Sequence, residues 1–317
     1  MSVIVPNYNH APFLTGRIES ILRQTFRDFE LIILDDHSSD QSKQIISSYQ
    51  GNPKVSNIIY NDSNSGSPFR QWNKGIAMAR GSLIWIAESD DYCEWNFLEK
   101  TVAKMKEYPS AGLVYSQSLE MDEITGENLL SFAHSPRFAH AFGQSYFAKG
   151  KSELNEKLAY ENTIPNASGV LFRKSVYEEV HGTDETMRLC GDWLLWVKML
   201  LVSDVYFLAE PLNYFRLTSA SARSKFTRMQ TFHERIRVLR LMIENDIPAA
   251  GKTQRLLIRN LFNSYKIHEL KEPVRKVLAE PEMINHKTAK IIVGILLSFR
   301  DRIVRKFTAS NKRMAPG

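Results

Sequence analysis

The chain has 317 residues, 43% of them hydrophobic and 24% charged, an ordinary globular balance that fits one large domain or a domain with an extension. Its net charge of +6 suits an anionic ligand or an anionic surface and does not separate the two. Its two cysteines, Cys93 and Cys190, exclude a disulfide framework and a metal knuckle and point to reduced thiols in a reducing compartment.

The opening "MSVIVPNYNH" reads as a strand rather than a signal peptide, and no run reaches about 18 apolar residues, so no transmembrane helix is expected. Ser2 to Val5 predicts a strand stopped by Pro6. Ala11 to Gln24 predicts a helix, with Phe13, Leu14, Ile18, Ile21 and Leu22 at helical spacing. The continuous apolar run of "FELIILDD" suits a strand buried on both faces. A helix over "SSDQSKQIISSY", a strand at "KVSNIIY" and a helix over "SPFRQWNKGIAMARG" ending at Gly81 follow. "SLIWIAE" is a fourth strand, "EWNFLEKTVAKMKEY" a helix stopped by Pro109, and "AGLVYSQS" a fifth strand. Strands alternating with helices over roughly 120 residues predict a parallel α/β sheet with right-handed crossovers.

Beyond Glu120 the pattern changes. "FAHSPRFAHAFGQSYFAKG" reads as an irregular loop region over the site. "NASGVLFRKSVYEEV" predicts a strand leading into a helix, "CGDWLLWVKMLLV" a helix starting near Asp192, and "VYFLAEPLNYFRL" an extended element with a proline break. From Arg223 the chain reads as helical, with Phe226, Met229, His233, Ile236, Leu239 and Ile243 on one face.

In parallel α/β sheets ligands bind beyond the carboxyl ends of the strands. Here those ends read "PNYN", "LDDHSSD", "NDSNSG" and "ESDDY", all polar and two with paired carboxylates. Asp90 and Asp91 offer oxygen ligands for a hard cation held against a diphosphate, or else cap the helix that follows. Asp36 offers an acceptor to a base or ribose, or else belongs to a capped loop. "VPNYNH", taken alone, is a turn carrying two amides.

Together, "SVIVPNYNHAPFL", "SILRQTFRDFELIILDDHSSD", "NSGSPFRQWNKGIAMARG" and "IWIAESDDY" resemble, in order and spacing, the inverting glycosyltransferases of family 2. The resemblance is close over Ser2 to Ser116 and extends to about Ser221. It implies the GT-A fold, a Rossmann-like, mostly parallel α/β sheet flanked by helices, here with a C-terminal helical extension. The expected catalytic domain is 1–222, with a nucleotide-binding half to about 118 and an acceptor half from about 119. Residues 223–317 form the helical region.

The resemblance implies that Pro6, Tyr8 and Asn9 line a nucleotide pocket and that Asp36 contacts the base. Asp91 then ligates a divalent cation, Mn²⁺ or Mg²⁺, and Asp90 faces the ribose or sugar. Asn64, Gly66, Asn73 and Gly75 match the helix region beside the nucleotide. Arg70 reads as a phosphate or sugar contact, or as a solvated helix-face arginine. Asp192 matches the aspartate of the family's Glu-Asp base pair, while Gly191 replaces the glutamate; the other reading of Asp192 is a helix cap. Trp193 stacks on an acceptor sugar or joins the core, and Trp196 is expected in the core. Leu217 stands where the family often has a histidine, with Arg216, Ser219, Ser221 or Arg223 available to replace it. His134, His140 and His181 lack metal-ligand spacing.

The implied activity is transfer of a sugar from a UDP, dTDP or GDP donor to a glycan or polyprenyl-linked acceptor in surface polysaccharide synthesis. The expected location is the cytoplasm, with no nucleic-acid partner. The basic stretch "KIIVGILLSFRDRIVRKF" offers peripheral contact with the inner face of the membrane, or else packs on the chain or mediates an oligomer. The rival readings are a nucleotidyltransferase, a non-catalytic sugar- or nucleotide-binding descendant of a transferase, and a membrane-bound scaffold.

Overall fold

The computed structural model describes residues 1–122, 128–130, 138–217 and 228–248. The chain divides into two compact units, Met1–Lys225 and Phe226–Gly317. The basic tail, His134, Ser219, Ser221 and Arg223 lie outside the described residues.

The first unit opens with β1 (Ser2–Asn7), α1 (Ala11–Leu22), β2 (Glu30–Asp35), α2 (Ser42–Ser48), β3 (Val55–Tyr60), α3 (Pro68–Met78) and β4 (Leu83–Ile86). It continues with β5 (Tyr92–Cys93), α4 (Phe97–Glu107), β6 (Ala111–Asp122), β7 (Asn128–Leu130), β8 (Tyr146–Ala148) and α5 (Gly150–Glu153). β9 (Val170–Arg173), α6 (Lys174–Glu179), α7 (Gly191–Val202) and β10 (Asp204–Leu217) complete it. Among the described residues the strands form one sheet, whose main path is β3-β2-β1-β4-β9-β6-β10-β5. β3, β2, β1 and β4 are mutually parallel. β9 is antiparallel to both β4 and β6, so β6 and the parallel β10 regain the direction of β4. The carboxyl ends of β1, β2, β4, β6 and β10 therefore open on one edge.

The strand period of two sorts the core. Val3, Val5, Leu31, Ile33 and Trp85 face one side, buried with Leu14, Ile18 and Ile21 of α1, Ile46 of α2 and Phe97, Leu98 and Val102 of α4. Ile4 and Leu34 face the other side, against α3. Gly75 makes that approach possible, since a Cβ there would stand 2.5 Å from Ile4 Cγ2 and 2.9 Å from Leu34 Cδ1. Phe172 of β9 meets Trp196 of α7, with ring centroids 6.0 Å apart.

Several elements depart from the sequence reading. β1 does not stop at Pro6, which pairs with Leu34 within the strand. The β1–β4 ladder ends at Ile4, whose carbonyl accepts from Ala87 N–H at 2.8 Å, so the N–H that Pro6 lacks would face a side with no partner strand. α3 ends at Met78, short of Gly81, because Ala79 turns extended. Glu30 then accepts from Arg80 N–H at 2.7 Å and from Arg80 Nε at 2.9 Å. The fifth predicted strand runs on to Asp122 beside the long β10. Part of the expected irregular region is β8, paired with Val205–Phe207 of β10. β10 passes through Pro211 by register shifts on either side of it.

In the second unit, α8 (Arg228–Glu244) buries Phe232, Ile236, Leu239 and Ile243, one helical stripe. No helix of the described residues is long and apolar enough to cross a membrane.

Gly75→Ala should destabilise the fold by about 1–3 kcal/mol through overpacking, although alanine is the better helix former. A lowered urea midpoint with an unchanged slope would show it; a midpoint at or above that of the parent would contradict the close packing of α3 on β1.

Candidate active site at the carboxyl edge of the sheet

The first strand ends are knitted by amides and hydroxyls. Asn7 is buried and donates to Asp35 Oδ1 at 2.7 Å and to Ser38 Oγ at 3.2 Å. Asn9 adopts a left-handed conformation, φ 56°, which aims its N–H at Ser38 Oγ and its Oδ1 at Ser39 N–H, at 2.9 and 2.8 Å. Tyr8 between them is exposed, while Pro6 is buried beneath. Asp40 accepts from Ala11 N–H and Ser42 N–H, both at 2.9 Å, and so serves the starts of two helices. Burial works against its charge, yet these bonds hold its carboxyl below the usual range.

Asp36 is buried and engaged by its own chain. Its carboxylate accepts from Asn61 Nδ2 at 2.6 Å, Ser65 N–H at 2.9 Å, Ser65 Oγ at 2.8 Å and Gln71 Nε2 at 2.9 Å. Its carbonyl accepts from Asn64 Nδ2 at 3.1 Å. One carboxylate thus fixes the loop between β3 and α3.

At the end of β4 the acids gather. Glu88 Oε1 accepts from Trp72 Nε1 at 2.8 Å, and Glu88 N–H donates to Ser168 Oγ at 3.0 Å. Ser89 Oγ and His10 Nδ1 share a 2.8 Å hydrogen bond, with His10 3.9 Å from Asp90 Oδ1. Asp91 is buried; its Oδ1 accepts from Arg216 N–H at 3.1 Å, while its Oδ2 is buried without a hydrogen-bond partner. Arg216 Nε donates to the Asp90 carbonyl at 2.9 Å, and its guanidinium lies 4.6 Å over the Phe13 ring. β10, paired with β5 at Tyr214 and Tyr92, delivers Arg216 to this place.

Burial and the charges of Asp90 and Asp91 push the Glu88 carboxyl up to about 8, against the Trp72 hydrogen bond. Burial and the Asp90 charge likewise push Asp91 up, and Arg17 opposes the rise. Arg17 is fully buried in α1; its guanidinium nitrogens make no hydrogen bond, and it lies 4.8 Å over the Trp85 ring. It is a cation set behind the acids. Without such a countercharge, buried carboxylates of like sign would be costly.

Among the described residues no group of three or more His, Cys, Asp or Glu side chains is arranged to hold a metal ion alone. The donor set does fit a hard cation that completes its shell with phosphate oxygens and water, because the orphaned Asp91 Oδ2 and the neighbouring Asp90 supply carboxylate oxygen.

α7 brings the second half. Asp192 stands at its first turn, where Oδ2 accepts from Asn162 Nδ2 at 3.2 Å and Oδ1 from Trp193 N–H at 2.7 Å. Gly191 is buried under Phe69; a Cβ there would stand 2.4 Å from the ring, so a glutamate cannot be added without displacing that ring. The segment from Asn162 to Ser168 ties Asp192 to Glu88, and Trp85 Nε1 donates to the Ser168 carbonyl at 2.7 Å. Trp193 is buried, donating to the Leu158 carbonyl at 3.2 Å, and Trp196 is wholly buried in the core.

Asn73 and Arg70, expected beside the nucleotide, are engaged by the chain's own groups. Asn73 Oδ1 accepts from Thr183 N–H at 3.2 Å and Thr183 Oγ1 at 2.6 Å, while its Nδ2 donates to Glu185 Oε1 at 2.9 Å. Asn73 therefore pins the loop before α7 to α3. Arg70 is exposed, 3.7 Å from Glu185 Oε2 and donating to the Ser65 carbonyl at 3.3 Å. Leu217 ends β10. His181 closes α6 in a left-handed turn, φ 58°, with its N–H donating to the Glu178 carbonyl.

Sequence reasoning passed over Arg17, Trp72, His10 and Ser168. Arg17 left a signal: it interrupts the apolar stripe Leu14, Ile18 and Ile21, all buried, with a charge at the same helical phase. The other three acquire their partners from distant segments and carry no local mark.

With this geometry in view, the comparisons are specific. The family model "Glycosyl transferase family 2" matches residues 2–181. Glycosyltransferase GlyG of Streptococcus pneumoniae is 24% identical over 84% of this chain and 87% of its own. The poly(ribitol-phosphate) beta-N-acetylglucosaminyltransferase TarS of Staphylococcus aureus is 27% identical over 80% of this chain, which spans 42% of TarS. In structure, TarS 1–349 in complex with UDP-GlcNAc superposes with a TM-score of 0.64 at 19% identity, covering 94% of this chain and 80% of that one. The mannosyltransferase PcManGT of Pyrobaculum calidifontis, in complex with GDP-Man and Mn²⁺, gives 0.59 at 14% identity with the same coverage.

A carboxyl raised in the folded state binds its proton more tightly there than in the unfolded chain. Stability from Glu88 is therefore unaffected below the unfolded value near 4.5 and falls as pH rises from there to about 8. Glu88→Gln, which keeps an acceptor for Trp72, should raise the thermal midpoint at pH 8 and leave it nearly unchanged at pH 4.5, in metal-free buffer. Each kcal/mol relieved corresponds to about 2–4 °C. Equal shifts at both pH values would show that the strain at Glu88 is not electrostatic.

Proposed function

The chain belongs to glycosyl transferase family 2 and is a glycosyltransferase with the GT-A fold, and from that premise we propose that it is a metal-dependent, inverting enzyme using a nucleotide-diphosphate sugar. The observation that carries this reading is the end of β4, where Asp91 holds a buried, unpartnered carboxylate oxygen beside Asp90 and under Arg216. Such an oxygen is costly unless a cation meets it. The mouth formed by Pro6, Tyr8, Asn9 and Asp36 receives the nucleotide. The complexes of TarS with UDP-GlcNAc and of PcManGT with GDP-Man and Mn²⁺ support a nucleotide sugar and a divalent cation as ligands of this edge. UDP is the first donor nucleotide to test, since TarS is matched in both sequence and structure and is solved with UDP-GlcNAc.

In the proposed mechanism Asp192 takes the proton from an acceptor hydroxyl as that oxygen attacks the anomeric carbon. A single in-line displacement breaks the bond to the nucleotide diphosphate and inverts the configuration. Asn162, donating to Asp192 Oδ2, orients the base, and the buried Trp193 fixes the first turn of α7. A divalent cation held at Asp91 would neutralise charge on the departing diphosphate. Arg216 adds a chain-borne positive charge at the same place and takes the part expected of a histidine at 217. The acceptor is a glycan or a lipid-linked saccharide. Arg70 stands at the rim of the nucleotide mouth and Asn73 positions the loop that carries Asp192. The basic tail, outside the described residues, would bring the enzyme to a membrane-borne acceptor.

Calorimetry with UDP, GDP and dTDP, with and without Mn²⁺, is the decisive experiment. One nucleotide should bind tightly with metal, and Asp91→Asn should abolish that gain. No nucleotide binding under any condition would refute the donor site. Asp192→Asn should keep nucleotide affinity and lower transfer by about 10²–10⁴-fold; unchanged transfer would remove Asp192 from the base role.

A further inference from the structure

A cleft on the α1 side of the sheet has a lining that the donor chemistry leaves unused. It measures about 470 Å³ and runs between α1 and the turn that joins β5 to α4. Gly16, Glu19 and Arg23 form one wall; they lie on a single face of α1. Tyr92, Glu94 and Trp95 form the other, and Ser20 and Cys93 the floor, with Sγ 3.8 Å from the Ser20 hydroxyl. The volume falls within the range of small-ligand sites, roughly 300–1,000 Å³.

Three observations point to an occupant from outside the chain. Trp95 is 60% exposed, the most exposed large apolar side chain among the described residues. Tyr92 is held rigid by stacking on Tyr214, centroids 4.1 Å apart and 8° between planes, so its orientation is fixed in advance. Gly16 sits inside a helix, where glycine is less favourable than alanine. Gly75 and Gly191 have side-chain neighbours that a Cβ would have to displace, but nothing lies within 4 Å of one built at Gly16. The space above Gly16 is kept clear without being filled by the protein.

The chemistry of the walls selects the ligand. Flat aromatic faces accept the apolar C–H face of a pyranose ring. Fixed carboxylates accept from its hydroxyls: Glu19 is held by Tyr49 Oη at 3.1 Å and by Arg23 at 3.5 Å, and Glu94 by the Tyr214 hydroxyl. Two carboxylates beside one guanidinium disfavour a phosphate or a uronate. The cleft lies on the face of the sheet that carries α1 and α4, and the chain enters its floor from the acids, because Tyr92 follows Asp91 directly. From Gly16 to Arg23 it extends about 10 Å along the helix.

We propose that this cleft binds a neutral pyranosyl oligosaccharide, the part of the acceptor glycan remote from the reacting hydroxyl. The inference rests on the glycosyl-transfer reading above and gives the acceptor its chemical class. Remote binding of this kind holds the acceptor while Asp192 acts on its terminus.

The test uses the full chain on an array of immobilised neutral gluco-, galacto- and N-acetylglucosamine oligosaccharides, with a matched phosphate-bearing set. Gly16→Leu fills the cleft with a good helix former, and Trp95→Ala removes the stacking platform; both sites are open, and unchanged circular dichroism and thermal midpoint verify the fold. The wild type should bind neutral oligosaccharides, and each variant should bind them about tenfold more weakly with UDP affinity unchanged. Saccharide binding that is absent from the wild type, undiminished in either variant, or confined to the phosphate-bearing set overturns the cleft assignment. A wild type that binds none of UDP, GDP and dTDP, with or without Mn²⁺, yet binds saccharides through Trp95 keeps the cleft as a glycan site and sinks the donor reading alone.

Discussion

Glu88, Asp90 and Asp91 repel one another across four residues at the end of a buried strand, and much of the surrounding structure answers that repulsion. Trp72 donates to Glu88, the Arg216 backbone donates to Asp91, and Arg17 stands fully buried over Trp85. A lone buried guanidinium would be as costly as the acids it faces. Set together, the two costs partly cancel, and the balance is left negative at the open edge. Asp91 and Glu88 are held where losing a proton is unfavourable. A site with that imbalance attracts positive charge, which is the physical basis for placing a cation there.

The other half of the edge obeys a different rule. Asp36 and Asn73 are polar side chains that spend their hydrogen bonds on loops rather than leaving them open. Asp36 gathers Asn61, Ser65 and Gln71 at the start of α3. Asn73 fastens α3 to the loop that carries Asp192. Buried polar networks of this kind fix loop geometry because each broken bond would strand a group away from water. Gly191 belongs to the same design. Its missing side chain lets Phe69 close over the start of α7, so the position next to Asp192 is occupied by an aromatic ring instead of a second acid.

β9 explains how one edge can host all of these parts. It runs against the sheet between β4 and β6, so the chain enters β9 at the open edge, directly after the segment from Asn162 to Ser168. That segment touches Asp192 at one end and Glu88 at the other. A wholly parallel sheet would require a crossover at this point and would place the segment's amides and hydroxyls elsewhere.

The sequence by itself determined the sheet's first four strands, their helices and the acidic character of the strand ends, because hydrophobic period and turn residues are local signals. It also marked Asp36, Asp90 and Asp91 as positions of interest, since a charge beside an apolar run stands out in one dimension, whereas Asp192 was marked only by the family resemblance. Tertiary structure alone decided the antiparallel course of β9, the continuation of β1 through Pro6 and the addition of β8, all of which depend on which strand lies alongside. It decided as well that Arg17 is buried behind the acids, that Arg216 reaches them and that Asn73 does not. These outcomes are set by pairs of residues tens to more than a hundred positions apart, and a linear pattern carries no record of the distance between them in space.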